Sequence, residues 1–218
     1  MSNAFTVRMN YDRQAVLADV DGTLLRGSLV LDHACFLHDE KVVNLGDAPD
    51  AWREDVKNEA LITQLAEAYR ESITGKSAVE LLTRDYVKEK VADDAQFYSS
   101  IQRLCQAKEE GADVFLISGS PSFLLTPFAR HFGFRSKGSL YATDTAGAFT
   151  GSIRGMFGAE AKRKHVRTLK PAQYQHITAY GDTSSDVPLF EVADHKVLVA
   201  PTQRTLSVVG AVDEVLTD

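Results

Sequence analysis

A cationic excess is missing from this chain. Its 218 residues carry 24 Lys and Arg against 30 Asp and Glu, a formal net charge of −6. Nucleic-acid backbones are held by clustered cations that release counterions, so no nucleic-acid partner is expected, whereas a small anionic ligand is compatible with this balance. Cysteine is scarce too. Cys35 and Cys105 lie far apart and form no Cys-x-x-Cys pair, which removes zinc-ribbon and dithiol redox chemistry. Both are expected to be buried thiols in a reducing compartment. No apolar run approaches the ~20 residues that span a bilayer, and residues 1–10 interleave polar side chains where a secretory leader needs an apolar stretch. The expectation is a cytoplasmic protein without a membrane partner. With 6 Pro and 14 Gly, and 44% hydrophobic and 25% charged residues, the composition is that of an ordinary globular chain. At about 150 residues per domain, its length predicts one main domain with a substantial insertion.

What is present is a series of short apolar runs ending in polar turns. Ala15-Val16-Leu17-Ala18 stops at Asp19-Val20-Asp21-Gly22-Thr23, and Asp113 to Ile117 stops at Ser118-Gly119-Ser120-Pro121. Ile177 to Tyr180 stops at Gly181-Asp182-Thr183-Ser184-Ser185-Asp186. Such runs read as buried strands feeding turns. Between the first two, from Leu29 to about Glu110, the periodicity is helical. It is clearest at Ala60 to Ile73, where Leu61, Leu65, Ala68 and Tyr69 share a face, and at Val79 to Val91. Ser120 as N-cap and Pro121 at the first helical position predict a helix over Phe123 to Phe132, which Pro127 either kinks or delays. Gly138 to Ala142 and Ala148 to Arg154 predict a hairpin. A basic helix from about Ala159 to Leu169, a short helix from Val187 to Ala193 and a final strand from Lys196 to Ala200 complete the reading. Strands alternating with helices imply a three-layer α/β fold, Rossmann-like, with a parallel sheet and an inserted helical cap. The expected division is 1–28 with 100–218 as core and 29–99 as cap. In such sheets ligands bind beyond the carboxyl ends of the strands, so the three polar turns should converge.

Asp19 and Asp21 stand two apart on extended chain, a spacing that turns both carboxylates to one side. Taken alone, Asp-x-Asp-Gly reads first as a solvated acidic turn, and Asp182 and Asp186 read first as capping residues. Gathering these carboxylates in one cleft needs a cation, and oxygen ligands with one or two protein carboxylates suit Mg²⁺ better than Ca²⁺. Ser118 offers a hydroxyl, and the N–H groups of Gly119 and Ser120 would open a helix toward an anion. Lys162, in the first turn of the basic helix with Val166 and Leu169 following at i+4 and i+7, could reach a phosphate, with Lys164 a competitor. Together these groups form a phosphoryl-transfer centre: Asp19 attacks phosphorus, and Asp21 protonates the leaving alkoxide and then activates water.

In this order the four stretches resemble the motifs of the haloacid dehalogenase superfamily: Asp19 to Thr23 the first, Ile117 to Ser120 the second, Lys162 the third and Gly181 to Asp186 the fourth. The helical block, Ser118 to Pro121 and Phe149-Thr150-Gly151 resemble its phosphoserine-phosphatase-like branch, subfamily IB. The resemblance implies a Rossmann-like core with a mobile lid. It implies that Asp19 and Asp182 ligate Mg²⁺ through side chains, that Asp21 does so through its carbonyl, and that Asp186 supports the metal site. Asp21 after Asp19 marks a phosphatase rather than a dehalogenase. One departure stands out: the Glu that holds the substrate amine in phosphoserine phosphatases is matched here by Ser28, following Arg26 and Gly27. Phosphoserine is therefore not the expected substrate, and Arg26 and Ser28 are candidates for contacts to another polar or anionic one. Lys76, Arg84 and Tyr86 are further candidates in the cap. The expected function is Mg²⁺-dependent hydrolysis of a small phosphorylated metabolite. A phosphotransferase with an alcohol acceptor and a non-catalytic phospholigand-binding module are the alternatives.

Overall fold

Gln14–Ala18 form the first strand, β1, buried from Ala15 onward, as a strand covered on both faces must be. The computed structural model describes residues 13–54, 59–78, 80–155, 158–169 and 171–217. After β1 come four helices, α1 (Leu29–Asp39), α2 (Ala48–Glu54), α3 (Glu59–Ile73) and α4 (Thr83–Ala92). Then follow α5 (Ser100–Glu109), β2 (Asp113–Pro121), α6 (Ser122–His131), β3 (Arg135–Thr143) and β4 (Phe149–Arg154). The remainder is α7 (Gly158–Thr168), β5 (His176–Gly181), α8 (Val187–Phe190), β6 (His195–Val199), α9 (Gln203–Val209) and β7 (Glu214–Leu216).

Among the described residues the strands make one sheet in the order β4-β3-β2-β1-β5-β6-β7, parallel except for the antiparallel β3–β4 hairpin. The chain builds outward from β1 through β2 and β3, then returns to place β5 on the other side of β1. This reversal makes the carboxyl end of β1 a topological switch point, where a crevice opens for ligands. Register aligns the three turns: Ala18 pairs with Leu116 of β2 and with Tyr180 of β5, so Asp19, Ser118 and Asp182 follow at nearly one level.

Alternation along the strands sorts the core into two layers. Val16, Ala18, Val114 and Leu116 pack with Leu104 of α5 and with Leu124 and Phe128 of α6. Ala15, Leu17, Phe115 and Ile117 pack on the other face with Val166 of α7 and Leu189 and Phe190 of α8. Helices α1 to α3 have an apolar cluster of their own, in which Leu37, Trp52, Leu65, Tyr69 and Leu81 meet Phe149 of β4. A fully buried His33 ties this layer together: its ring nitrogens lie 2.9 Å from the Tyr69 hydroxyl and 2.9 Å from the Leu81 carbonyl. The neutral ring donates to the carbonyl and accepts from the phenol. Lys90 of α4 reaches Asp32 of α1 at 2.6 Å, and the Trp52 indole N–H donates to the same carboxylate at 3.3 Å.

Several expectations are corrected. Strand β2 runs on through Ser118 to Pro121, so Ser120 is not an N-cap, and α6 opens at Ser122 behind Pro121. Pro127 sits inside α6 without ending it. The fourth helix begins at Thr83 rather than Val79, and Val79 itself lies outside the described residues. Helix α7 begins at Gly158, which puts Lys162 in its second turn. Lys196 to Ala200 is not the last strand, because β7 adds beside β6 after α9. Cys35 is buried as expected, but Cys105 is only half-buried.

Candidate active site

Residues immediately after β1 fold into a tight turn in which the N–H groups of Thr23, Leu24 and Leu25 all approach the Val20 carbonyl. Gly22 takes φ +79, and a Cβ there would lie 2.3 Å from Asp182 Oδ2. Glycine is thus required twice, by conformation and by space. Thr23, wholly buried, donates its hydroxyl to Asp182 Oδ1 at 2.9 Å and fixes that carboxylate against the turn.

Asp19, buried at the end of β1, faces Lys162 Nζ at 2.9 Å from its Oδ1. The two form a buried ion pair. Burial raises the Asp19 carboxyl, Lys162 opposes the rise, and the neighbouring Asp186 and Asp21 add to it, leaving it pushed up to about 7. Lys162 also donates to Asp186 Oδ1 at 2.5 Å. Burial works against its charge, but Asp19 and Asp186 outweigh burial and hold Lys162 above the ordinary lysine range. Lys164 is exposed on α7, so of the two lysines it is Lys162 that stands beside Asp19. Asp186 Oδ2 accepts from the backbone N–H groups of Asp182 and Thr183 at 3.1 and 3.0 Å. It locks the turn in which Asp182 stands.

Asp21 turns elsewhere. Its Oδ1 accepts from the Leu29 N–H at 2.6 Å, and its Oδ2 accepts from the hydroxyls of Ser120 at 2.7 Å and Ser118 at 3.2 Å. Burial raises this carboxyl, and the Ser120, Leu29 and Ser118 donors hold part of the rise back. The Asp21 side chain is therefore held apart from the acidic cluster, which corrects the expectation that both carboxylates face one way. Asp19, Asp182 and Asp186 form that cluster, with one oxygen from each within 4.8 Å of the others. Burial and like charges hold Asp182 well above the ordinary carboxylate range. An oxygen-only donor set of three clustered carboxylates fits a hard divalent cation.

Ser118 and Gly119 stand on β2 beside Asp21. The Ser120 N–H donates to Ser118 Oγ at 3.0 Å, and the Gly119 carbonyl accepts from Ser139 at 2.6 Å. The Ser120 N–H is thus engaged, contrary to the expected anion-binding helix start. Sequence reasoning missed the Ser120 hydroxyl as a partner of Asp21, because Ser-Pro has the look of a cap. Ser28 caps α1, its hydroxyl accepting from Leu31 at 3.5 Å, and Arg26 donates Nε to the Phe97 carbonyl at 3.1 Å. Both line a cleft of about 700 Å³ that opens beside Asp21 and Asp182. Tyr86 is not a candidate contact: it is buried and donates its hydroxyl to the Leu29 carbonyl at 2.9 Å. Lys76 and Arg84 do not line the cleft. Arg204 does, and no motif in the sequence points to it.

The model of the haloacid dehalogenase-like hydrolases matches residues 16–191. Phosphoserine phosphatase SerB1 of Mycobacterium tuberculosis (strain H37Rv) is 29% identical over 142 residues, 62% of this chain and 46% of that one. The chain spans about half the length of the curated relatives it matches. Among solved structures, a protein of unknown function from Bordetella pertussis Tohama I is similar with a TM-score of 0.69 at 22% identity, covering 88% of this chain and 92% of that one. A phospho-aspartyl intermediate analogue of phosphoserine phosphatase is similar with a TM-score of 0.62 at 14% identity, covering 95% and 94%. At these identities the structural likeness is one of fold.

Proposed function

The chain belongs to the haloacid dehalogenase-like hydrolase family, and from that premise we propose that it is a Mg²⁺-dependent phosphatase of small phosphorylated metabolites that works through an aspartyl-phosphate on Asp19. The observation that carries this reading is the meeting of Asp19, Lys162 and Asp182 with a separately held Asp21 at the switch point of the sheet. The phosphatase names among the relatives support it.

Asp19 and Asp182, with the Asp21 carbonyl, would hold the metal, and Asp186 would support them. The ion, when bound, supplies positive charge that neutralises the carboxylates and the phosphoryl oxygens. The chain's own residues do the rest. Lys162 holds Asp19 in place and favours its ionised form, so that a carboxylate oxygen attacks phosphorus while the bond to the leaving oxygen breaks. Asp21, its carboxyl raised by burial and kept in position by Leu29, Ser118 and Ser120, gives its proton to that leaving oxygen. It then takes a proton from the water that attacks the aspartyl-phosphate, releasing inorganic phosphate and restoring Asp19. Ser118 and Gly119 would border the phosphoryl group, with Arg26 and Ser28 toward the rest of the substrate. Helices of the 29–99 segment would act as a cap over the core formed by 1–28 and 100–218, excluding water during attack. No helix among the described residues is long and apolar enough to cross a membrane. The free thiols Cys35 and Cys105 support a cytoplasmic setting.

The test is phosphate release from a panel of phosphorylated metabolites and an aryl phosphate, with and without Mg²⁺. Metal-dependent turnover that Asp19→Asn abolishes is the expected result, and phosphate released in step with substrate loss in the presence of glycerol separates hydrolysis from transfer. Silence toward every ester, with Asp19→Asn indistinguishable from wild type, overturns the reading.

A further inference from the structure

The cleft beside Asp21 and Asp182 is far more than a phosphate needs, at about 700 Å³, within the range of pockets that enclose a whole small ligand. Its composition is uneven. Its lining brings together two acidic residues of the reacting centre, Asp21 and Asp182, and two cations, Arg26 and Arg204. Neither arginine has a carboxylate partner among the described residues, in a chain whose net charge is −6. Arg26 is held ready: its guanidinium lies 4.5 Å from the centre of the Tyr98 ring and its Nε is bonded to the Phe97 carbonyl. Its terminal amino groups are left to present a fork, the geometry that matches carboxylate and phosphate oxygens. Arg204 is exposed on α9. Leu31, Trp52, Ile62 and Val208 add apolar surface to a lining that also carries serine and threonine hydroxyls. The single indole donor of Trp52 is already given to Asp32, so toward the cleft this residue offers carbon surface only.

Resting on the phosphatase reading, we propose that the substrate's leaving group is an apolar body bearing a second anionic group, bound by Arg26 and Arg204. The acidic residues of the reacting centre repel a second anion, and the two guanidinium groups without carboxylate partners attract it. One substrate orientation is therefore favoured, phosphoryl group toward Asp19 and second anion outward. A carboxylate and a second phosphate share the recognising chemistry.

The test uses the full chain with Mg²⁺ and three matched esters: phenyl phosphate, 4-carboxyphenyl phosphate and the 1,4-bisphosphate of hydroquinone. A second readout is calorimetric binding of phenylphosphonate against 4-carboxyphenylphosphonate. Wild type is expected to favour an anion-bearing ester by tenfold or more in kcat/KM, mostly through KM, and to bind the carboxylated phosphonate in preference. Arg204→Ala and Arg26→Ala should each reduce that ratio at least fivefold, with the lysine variants between. Comparing the carboxylated and bisphosphorylated esters identifies the anion. Equal treatment of neutral and anionic compounds, or a preference that survives in the double alanine variant, overturns the proposal while turnover itself upholds the phosphatase reading. Preferential binding of the carboxylated phosphonate without hydrolysis of any ester does the reverse, and absence of both binding and turnover overturns both.

Discussion

The ammonium of Lys162 and the carboxylate of Asp186 form a buried ion pair across 24 residues of sequence, with Nζ 2.5 Å from Oδ1 and side-chain exposures of 4% and 0%. Removing one member strands the other charge in the interior, which costs about 3–5 kcal/mol. Lys162→Met, which keeps most of the volume, is expected to lower the free energy of unfolding by that amount and to abolish turnover. Urea unfolding followed by circular dichroism measures the first effect and phosphate release the second.

Gly22→Ala should damage the site more than the fold. The new Cβ would meet Asp182 Oδ2 at 2.3 Å, and φ +79 adds backbone strain of about 1–3 kcal/mol. The expected outcome is a cooperative unfolding transition retained at lower stability, with a much higher Mg²⁺ concentration needed for half-maximal turnover. Titrating activity with Mg²⁺ checks it.

Ser120→Ala removes the 2.7 Å donor to Asp21. A hydrogen bond to a charged group is worth about 1.5–3 kcal/mol, so kcat should fall roughly tenfold to hundredfold. Ser120→Thr, which keeps the hydroxyl, is expected to recover part of the loss. A KM that rises while kcat stays constant would contradict the assignment of Ser120 as a positioning residue for Asp21.

His33 makes stability depend on pH. Burial lowers it from 6.5 to about 4, so between those values the unfolded chain binds a proton that the folded chain refuses. Stability is complete above about pH 6.5, falls as pH drops through that window, and levels off below about 4. At pH 5 the expected loss is about 2 kcal/mol relative to pH 7.5. Denaturant unfolding at the two pH values measures it, and His33→Gln should flatten the difference.

Much of the site is legible in sequence because each of the three polar turns follows a short apolar run, and a parallel sheet has to place such turns at one end. Asp19, Asp182 and Asp186 meet for that reason, with Lys162 brought in by α7. The remainder depends on contacts that leave no local pattern. Ser120 reads as a cap before Pro121, yet its hydroxyl is committed to Asp21, a partner 99 residues away. Lys162 and Lys164 look alike in a basic run, and only the packing of α7 buries the first. Strand β7 is three residues long with Leu216 alone buried, too short to show alternation. Arg204 has no signal beyond being one more surface cation until the cleft is seen.

The central position of β1 bears on how the protein is made. One edge of this strand pairs with β2, which begins at Asp113, and the other with β5, which begins at His176. During synthesis from the N-terminus, β1 stays without its second neighbour until most of the chain has left the ribosome. An apolar strand with an open edge is a template for unwanted pairing. Arrival of β5 closes that edge, and the same step delivers Asp182 and Asp186 to Asp19. Closure of the second edge of β1 and assembly of the acidic cluster are thus one event, and a nascent chain stopped short of β5 lacks both.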